Sequence, residues 1–156
     1  GGREGRIRAL TDRQIGTGGF AAGGTILLLT FAALSSSPQV LWALIVGEVL
    51  AKFSMAFLTA YGTPFHDGLH ALLHRQSKPW FPVAAGICCL PLALLPLPHL
   101  PLLGAAIAAV LIPLLLLSIS QRQFGGVNGD VVGASGEITR AATLCALVII
   151  PASALF

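Results

Sequence analysis

The chain has 156 residues, 55% of them hydrophobic and only 10% charged, with nine basic and six acidic side chains for a net charge of +3. Soluble domains carry about 25% charged residues; this composition therefore excludes a soluble globular domain and a disordered segment, and its 18 glycines, which follow no three-residue period, exclude a collagen. Nine scattered positives are too few for a nucleic-acid-binding stripe, and the class that remains is an integral membrane protein.

In chain order, the sequence opens on Gly1-Gly2 with no basic-then-apolar leader. The expectation is a single integral membrane domain over residues 1–156 that forms the C-terminal part of a longer enzyme. The polar segment that follows spaces Ile7, Leu10 and Ile15 for one helical face, and Glu4, Arg8 and Asp12 stand four apart, the spacing of helix ion pairs. Five apolar runs are then candidates for spanning helices, which need about 20 residues. They are Gly18–Leu34, Val40–Ala60, Trp80–Leu95, Leu102–Ile119 and Ala141–Phe156. The third and fourth are short and parted by Pro96, Pro98 and Pro101, so they form either two crossings or one broken or re-entrant hairpin. The runs are continuous rather than alternating, which argues against a barrel. The fold class is all-α, a polytopic membrane helix bundle of about five transmembrane helices.

Topology follows from the basic residues. Arg3, Arg6, Arg8 and Arg13 precede the first run, Arg75 and Lys78 lie in 61–79, and Arg122 and Arg140 lie in 120–140. The two intervening connections have none. By the positive-inside rule the N-terminus and these alternate loops face the cytoplasm, which suits a multi-pass protein of the cell membrane. Cys88, Cys89 and Cys145 form no disulfide framework and read as small apolar packers. Gly19 and Gly23 share the spacing that lets another backbone approach closely.

Four stretches carry polar chemistry. In Phe124-Gly125-Gly126-Val127-Asn128-Gly129-Asp130, three glycines within five residues allow a loop whose N–H groups turn toward an anion. The loop leads into a helix on which Asp130 and Glu137, seven apart, share a face with Gly133 and Ala134 between them. Two acids with small residues between them leave room for a diphosphate and Mg²⁺, which prefers carboxylate and phosphate oxygens. Gly125, Gly126, Asn128, Gly129 and Gly133 are the candidate substrate-binding residues, and Asp130 and Glu137 the candidate metal ligands. In Asp12-Arg13-Gln14-Ile15-Gly16-Thr17, the acid and the arginine either face that site or belong to a solvated interfacial helix. Glu48 and Lys52, four apart inside the second run, suit a structural ion pair, a phosphate contact by Lys52, or a proton relay through Glu48. His66, His70 and His74 recur every four residues, as for the polar face of an interfacial helix, a substrate contact, or a metal site; no glutamate stands where a zinc protease needs its base.

Taken together, the two glycine-rich motifs resemble the cobalamin synthase family, also described as adenosylcobinamide-GDP ribazoletransferase or cobalamin-5′-phosphate synthase. Glu48-Val49-Leu50-Ala51-Lys52 and Pro64-Phe65-His66-Asp67-Gly68 resemble its archaeal-type members, and the likeness covers the whole chain in order. It implies transfer of the adenosylcobinamide phosphoryl group from adenosylcobinamide-GDP to α-ribazole or its 5′-phosphate, releasing GMP, with Mg²⁺. On that reading Asp12, Arg13 and Lys52 are catalytic. The family's upstream Asp-Gly-x-Ala-Asp-x-x-Asp-Gly motif is not in the sequence, and Asp12-Arg13-Gln14 stands where the family has Asp-Ser-Arg. Weak or no activity is therefore expected of residues 1–156 alone. A transporter or channel built on Glu48, Lys52 and the histidines, or an inactive fragment of the synthase, are the alternatives.

Overall fold

A computed structural model of the protein describes residue 2, residues 5–7 and residues 16–151; among these residues the chain is helical and has no strand. Asp12 and Arg13 lie outside the described residues. Helix α1 runs over Thr17–Ser36 and α2 over Val40–Tyr61, separated by a turn in which Pro38 bars continuation of α1. Helix α3, Leu69–Gln76, is short, and ends at Ser77 before Lys78-Pro79. Helix α4, Phe81–Cys89, starts with a proline in its first turn and tightens into a 3-10 turn at Leu90–Leu94 around Pro91. Helix α5 spans His99–Phe124 and α6 spans Gly129–Ile149.

Four of these helices are long and apolar enough to cross a membrane: α1, α2, α5 and α6. The third predicted crossing, Trp80–Leu95, corresponds to the segment Phe81–Leu94, which α3 meets at 90°; taken as one broken span, this bent pair brings the candidate crossings to five. Helix α4 and its 3-10 turn are too short to cross alone. The fourth crossing is longer than predicted because Pro98 and Pro101 sit at the start of α5, where proline's missing N–H has no helical acceptor to lose. The fifth begins at Gly129 rather than Ala141, so Arg140, expected in a loop, lies within the helix.

Helix α6 is the axis of the bundle. Ser54 meets Ser135, Met55 meets Gly136, and Gly47 meets Leu144, so α2 and α6 run antiparallel. Gly104 against Ile150 sets α5 antiparallel on another side of α6. Ala33 near the end of α1 joins Ala43 and Leu144 in a small core. Most of the rest of α1 is exposed, including Phe20, Leu27, Leu28 and Phe31, as expected where hydrocarbon is the solvent. Between α2 and α6 the buried hydroxyls bond one another: Thr139 Oγ1–H donates to Ser54 Oγ at 3.0 Å, Ser54 to Ser135 at 3.1 Å, and Ser135 to Val132 O at 3.0 Å. Each of these three hydroxyls has a partner, which offsets its desolvation.

This packing gathers the polar connections at one end of the bundle. The turn 125–128, the loop 62–68 and α3 lie there together, and Arg6 Nε–H donates to Gln123 O at 3.1 Å. Arg75 and Lys78 belong to the same connections, and Arg122 lies in the last turn of α5, which leads into the turn 125–128.

Candidate functional site

The site is built from the turn between α5 and α6. Gly125 closes α5 in the left-handed region, φ 79°, and its N–H bonds the carbonyls of Ser120 and Gln121. Gly126 is required for another reason. A Cβ there would lie 2.4 Å from Thr63 O, because the turn is pressed against the loop that leaves α2. Val127 N–H donates to Thr63 O at 2.8 Å, Ser120 Oγ–H donates to Gly126 O, and the Phe65 and Phe124 rings lie 6.3 Å apart. The Pro64-Phe65 stretch and the glycine turn, separate in sequence, are thus one structural unit.

Asn128 is buried and caps α6. Its Oδ1 accepts from Val131 N–H at 3.0 Å, and its Nδ2–H donates to Asp130 Oδ2 at 2.9 Å. The first turn of α6 therefore presents Asp130 outward, held through one oxygen. Gly129 and Gly133 border it on open space: a Cβ at either position meets nothing within 4 Å. Further along the helix, Gly136 is closely packed against Met55 of α2. Of the five predicted substrate-binding residues, Gly129 and Gly133 are on the open side, Gly125 is exposed at the turn, and Gly126 and Asn128 are buried in the turn's own packing.

Further along this open side lies a charged cluster. Arg140 is about 16 Å into α6 and Glu48 about 20 Å from the Tyr61 end of α2, both near mid-helix. Arg140 Nε lies 2.6 Å from Glu48 Oε1, and Nη1–H donates to Glu137 Oε2. The i, i+4 pairing of Glu48 with Lys52, one of the sequence-level readings, is not what forms. Glu48 reaches across to Arg140, and Lys52 Nζ lies 4.0 Å from Met55 Sδ, with no ion pair among the described residues. Lys52 is exposed, and Glu48 and Glu137 keep 48% and 58% of their side-chain surface. Charges inside a membrane span do not face lipid without large cost, so this side of α2 and α6 faces water, substrate or more protein.

Among the described residues no group of three or more His, Cys, Asp and Glu side chains is placed to hold a metal ion. The donor chemistry nonetheless suits a hard cation that keeps several waters and takes one or two carboxylates plus phosphate oxygens. Among the described residues, one oxygen of Asp130 has no protein partner, and Glu137 has one oxygen beyond the contact to Arg140.

The histidines behave differently from the solvated face they suggest in sequence. Helix α3 starts only at Leu69, so His66 lies outside it, with Nδ1 2.7 Å from Asp67 O. His70 is buried and its Nε2–H donates to Gly62 O at 2.9 Å; His74 Nδ1–H donates to Thr59 O at 3.0 Å. They clip α3 onto the last carbonyls of α2, which have no helical N–H of their own. Burial lowers the pKa of His70, the neighbouring His74 and His66 add to that, and the Gly62 bond opposes it.

Sequence reasoning missed Arg140 and the hydroxyls of Ser54, Ser135 and Thr139. The i, i+3 spacing of Glu137 and Arg140 was a usable signal for the first. Nothing local announces the second.

The sequence profile described as cobalamin-5-phosphate synthase matches residues 1–148. A protein of Haloquadratum walsbyi named adenosylcobinamide-GDP ribazoletransferase is 35% identical over 93% of this chain and 60% of its own length. Proteins of the same name from Halorubrum lacusprofundi and Archaeoglobus fulgidus are 36% and 35% identical, over 96% and 90% of this chain and 63% and 59% of theirs. The chain thus spans about three fifths of the length of these curated relatives. No solved structure matches it.

Proposed function

The chain belongs to the cobalamin-5-phosphate synthase family, and from that premise we propose that it carries the transfer of the adenosylcobinamide phosphoryl group from adenosylcobinamide-GDP to α-ribazole or its 5′-phosphate, with release of GMP. The observation that supports it most is the open face of α6, where Asp130 stands at the mouth between two glycines that leave space for a ligand.

In this reaction the ribazole 5′-oxygen attacks the phosphorus that carries the cobinamide. A new P–O bond forms, the P–O bond to GMP breaks, and the 5′-hydroxyl proton passes to a base. Such transfers depend on positioning and charge neutralisation more than on covalent help from the protein. Asp130 and Glu137 are the residues that would hold Mg²⁺, which when bound supplies positive charge to the diphosphate. The exposed ammonium of Lys52 is suited to a phosphate oxygen, and Arg13 to another. Asp12 is assigned as the base or a further metal ligand. The N–H groups of Gly129 and Asp130, in the first turn of α6, have no acceptor within the helix and favour an anion. Gly125, Gly126 and Asn128 serve by holding that turn in shape. Arg140 positions the Glu137 carboxylate.

The motif end of the bundle carries Arg75, Lys78 and Arg122, so we place it on the cytoplasmic side of the cell membrane. The test is GMP release by the full-length enzyme that contains this chain, in proteoliposomes supplied with Mg²⁺. Release that requires both adenosylcobinamide-GDP and an α-ribazole acceptor supports the proposal; transport of either compound without GMP release contradicts it.

A further inference from the structure

The turn that places Asp130 is held from outside the two helices it joins. Asp130 Oδ2 accepts from Asn128 Nδ2–H, and Asn128 follows directly on Val127, which is fully buried. Val127 N–H donates to Thr63 O at 2.8 Å, and Pro64 forms a single parallel bridge with Val127. The stretch 62–64 thus fixes where the first turn of α6 begins. It follows the end of α2 at Tyr61, so its carbonyls have no helical N–H to hold them.

Its anchor is His70. This side chain is 5% exposed and donates Nε2–H to Gly62 O at 2.9 Å, one residue before the carbonyl that holds Val127. Little slack separates these groups. A Cβ on Gly62 would lie 2.5 Å from Leu58 O and 2.7 Å from Val127 Cγ2, and one on Gly126 would lie 2.4 Å from Thr63 O. Close-packed groups transmit a displacement rather than absorb it. His74 supplies the contrast. Its Nδ1–H makes an equivalent bond to Thr59 O at 3.0 Å, but Thr59 lies within α2. That bond seats α3 on the body of the helix, ahead of the stretch 62–64.

We infer that His70 is a positioning residue for the phosphoryl transfer: by holding the Gly62 carbonyl it fixes, through Thr63, Val127 and Asn128, where the Asp130 carboxylate stands. The inference rests on the reading that Asp130 serves that transfer. His70 needs no contact with substrate or metal for this. Without its bond the stretch 62–64 loosens, and the turn 125–128 and the Asn128 cap loosen with it. A reacting group misplaced by about 1 Å loses about a hundredfold in rate. His74 shares the seating of α3 but not this role.

The experiment compares variants of the full-length enzyme that contains this chain, in lipid nanodiscs, by GMP release and by amide hydrogen exchange over residues 124–131. His70→Leu is expected to lower kcat at least about tenfold, with the KM of each substrate within about threefold, and to speed exchange at the turn at least about fivefold. His70→Gln keeps an N–H donor for Gly62 O and is expected to bring kcat back to within about threefold of the unsubstituted enzyme. His74→Leu removes the other bond from α3 to α2 and is expected to leave kcat and exchange at the turn within about twofold. Should His70→Leu not fold, His70→Asn, whose amide is too short to reach Gly62 O, takes its place with the same expected losses. Equal losses of kcat in the His70 and His74 variants, no recovery in His70→Gln, or unchanged exchange at the turn overturns the inference. Faster exchange at the turn in His70→Leu, in an enzyme that releases no GMP even when unsubstituted, upholds His70 as the anchor of the turn while refuting the transfer reading, so the two readings fail separately.

Discussion

Arg140 on α6 lies 2.6 Å from Glu48 on α2, joining the two central helices across the open side of the bundle at mid-depth. It also holds Glu137, so one guanidinium carries two carboxylates. Removing it leaves two acids without a counter-charge inside a span. Breaking a buried pair in that way costs about 3–5 kcal/mol, and the half-exposed acids here reduce it to about 1–3 kcal/mol. Arg140→Leu should lower the thermal stability of the detergent-solubilised protein clearly. Glu48→Gln should cost less, because Arg140 keeps Glu137. Equal stabilities for the two variants would show that the cluster does not bind the helices together.

The glycines separate into two kinds. Gly126→Ala would push a methyl to 2.4 Å from the Thr63 carbonyl, a backbone atom that cannot step aside. It should destabilise by about 2–4 kcal/mol, within the range for overpacking and backbone strain. Gly133→Ala meets nothing and sits in a helix interior, where alanine is favoured by about 0.5–1 kcal/mol. It should leave stability intact or raised while weakening binding of adenosylcobinamide-GDP. Unfolding curves and a KM for each variant separate the two effects.

The hydroxyl chain gives a graded prediction. Ser54 makes two bonds between the helices, accepting from Thr139 and donating to Ser135, whereas Ser135 makes one, accepting from Ser54, and donates within α6 to Val132 O. Hydrogen bonds between membrane helices average about 0.6 kcal/mol. Ser54→Ala should therefore cost roughly twice as much as Ser135→Ala in a denaturant titration, on the order of 1 kcal/mol. The reverse order would indicate that Ser135 is the hub.

Protonation of His70 should weaken the clip between α3 and α2. Its folded pKa is below the ordinary value of 6.5, chiefly because it is buried. The unfolded chain thus takes up the proton first. The contribution to stability is complete above pH 6.5 and is lost as pH falls from there through the folded value. Thermal unfolding from pH 8 to 5 should show this decline, and His70→Gln, which does not titrate, should flatten it. An unaltered pH profile in that variant would contradict the assignment.

Much of the fold was legible because membrane helices declare themselves by uninterrupted apolar runs. The first two spans were read to within two residues of their observed ends. The final span was read as starting at Ala141 because Asp130, Glu137 and Arg140 lower its hydropathy. In the fold, Asn128 caps the helix and Arg140 neutralises Glu137, so the charges are carried inside it. The third run, Trp80–Leu95, is Phe81–Leu94 in the fold, but an apolar run alone does not reveal that Pro91 tightens its end into a 3-10 turn and that α3 meets it at a right angle. At the candidate site, the outward placement of Asp130 followed from spacing along one helix. The docking of Gly126 on Thr63 and the pairing of Glu48 with Arg140 did not, because both are contacts between elements distant in sequence.

The central claim is that the carboxylate of Asp130, at the mouth of α6, serves the phosphoryl transfer. Asp130→Asn keeps the shape of the side chain, removes its charge and leaves α6 capped by Asn128. Turnover of this variant in the full-length enzyme that contains this chain, measured as GMP released from adenosylcobinamide-GDP in the presence of α-ribazole and Mg²⁺, is the most direct test. The account predicts a loss of at least about a hundredfold in rate, with membrane insertion and thermal stability retained. GMP release at a near-normal rate would contradict it.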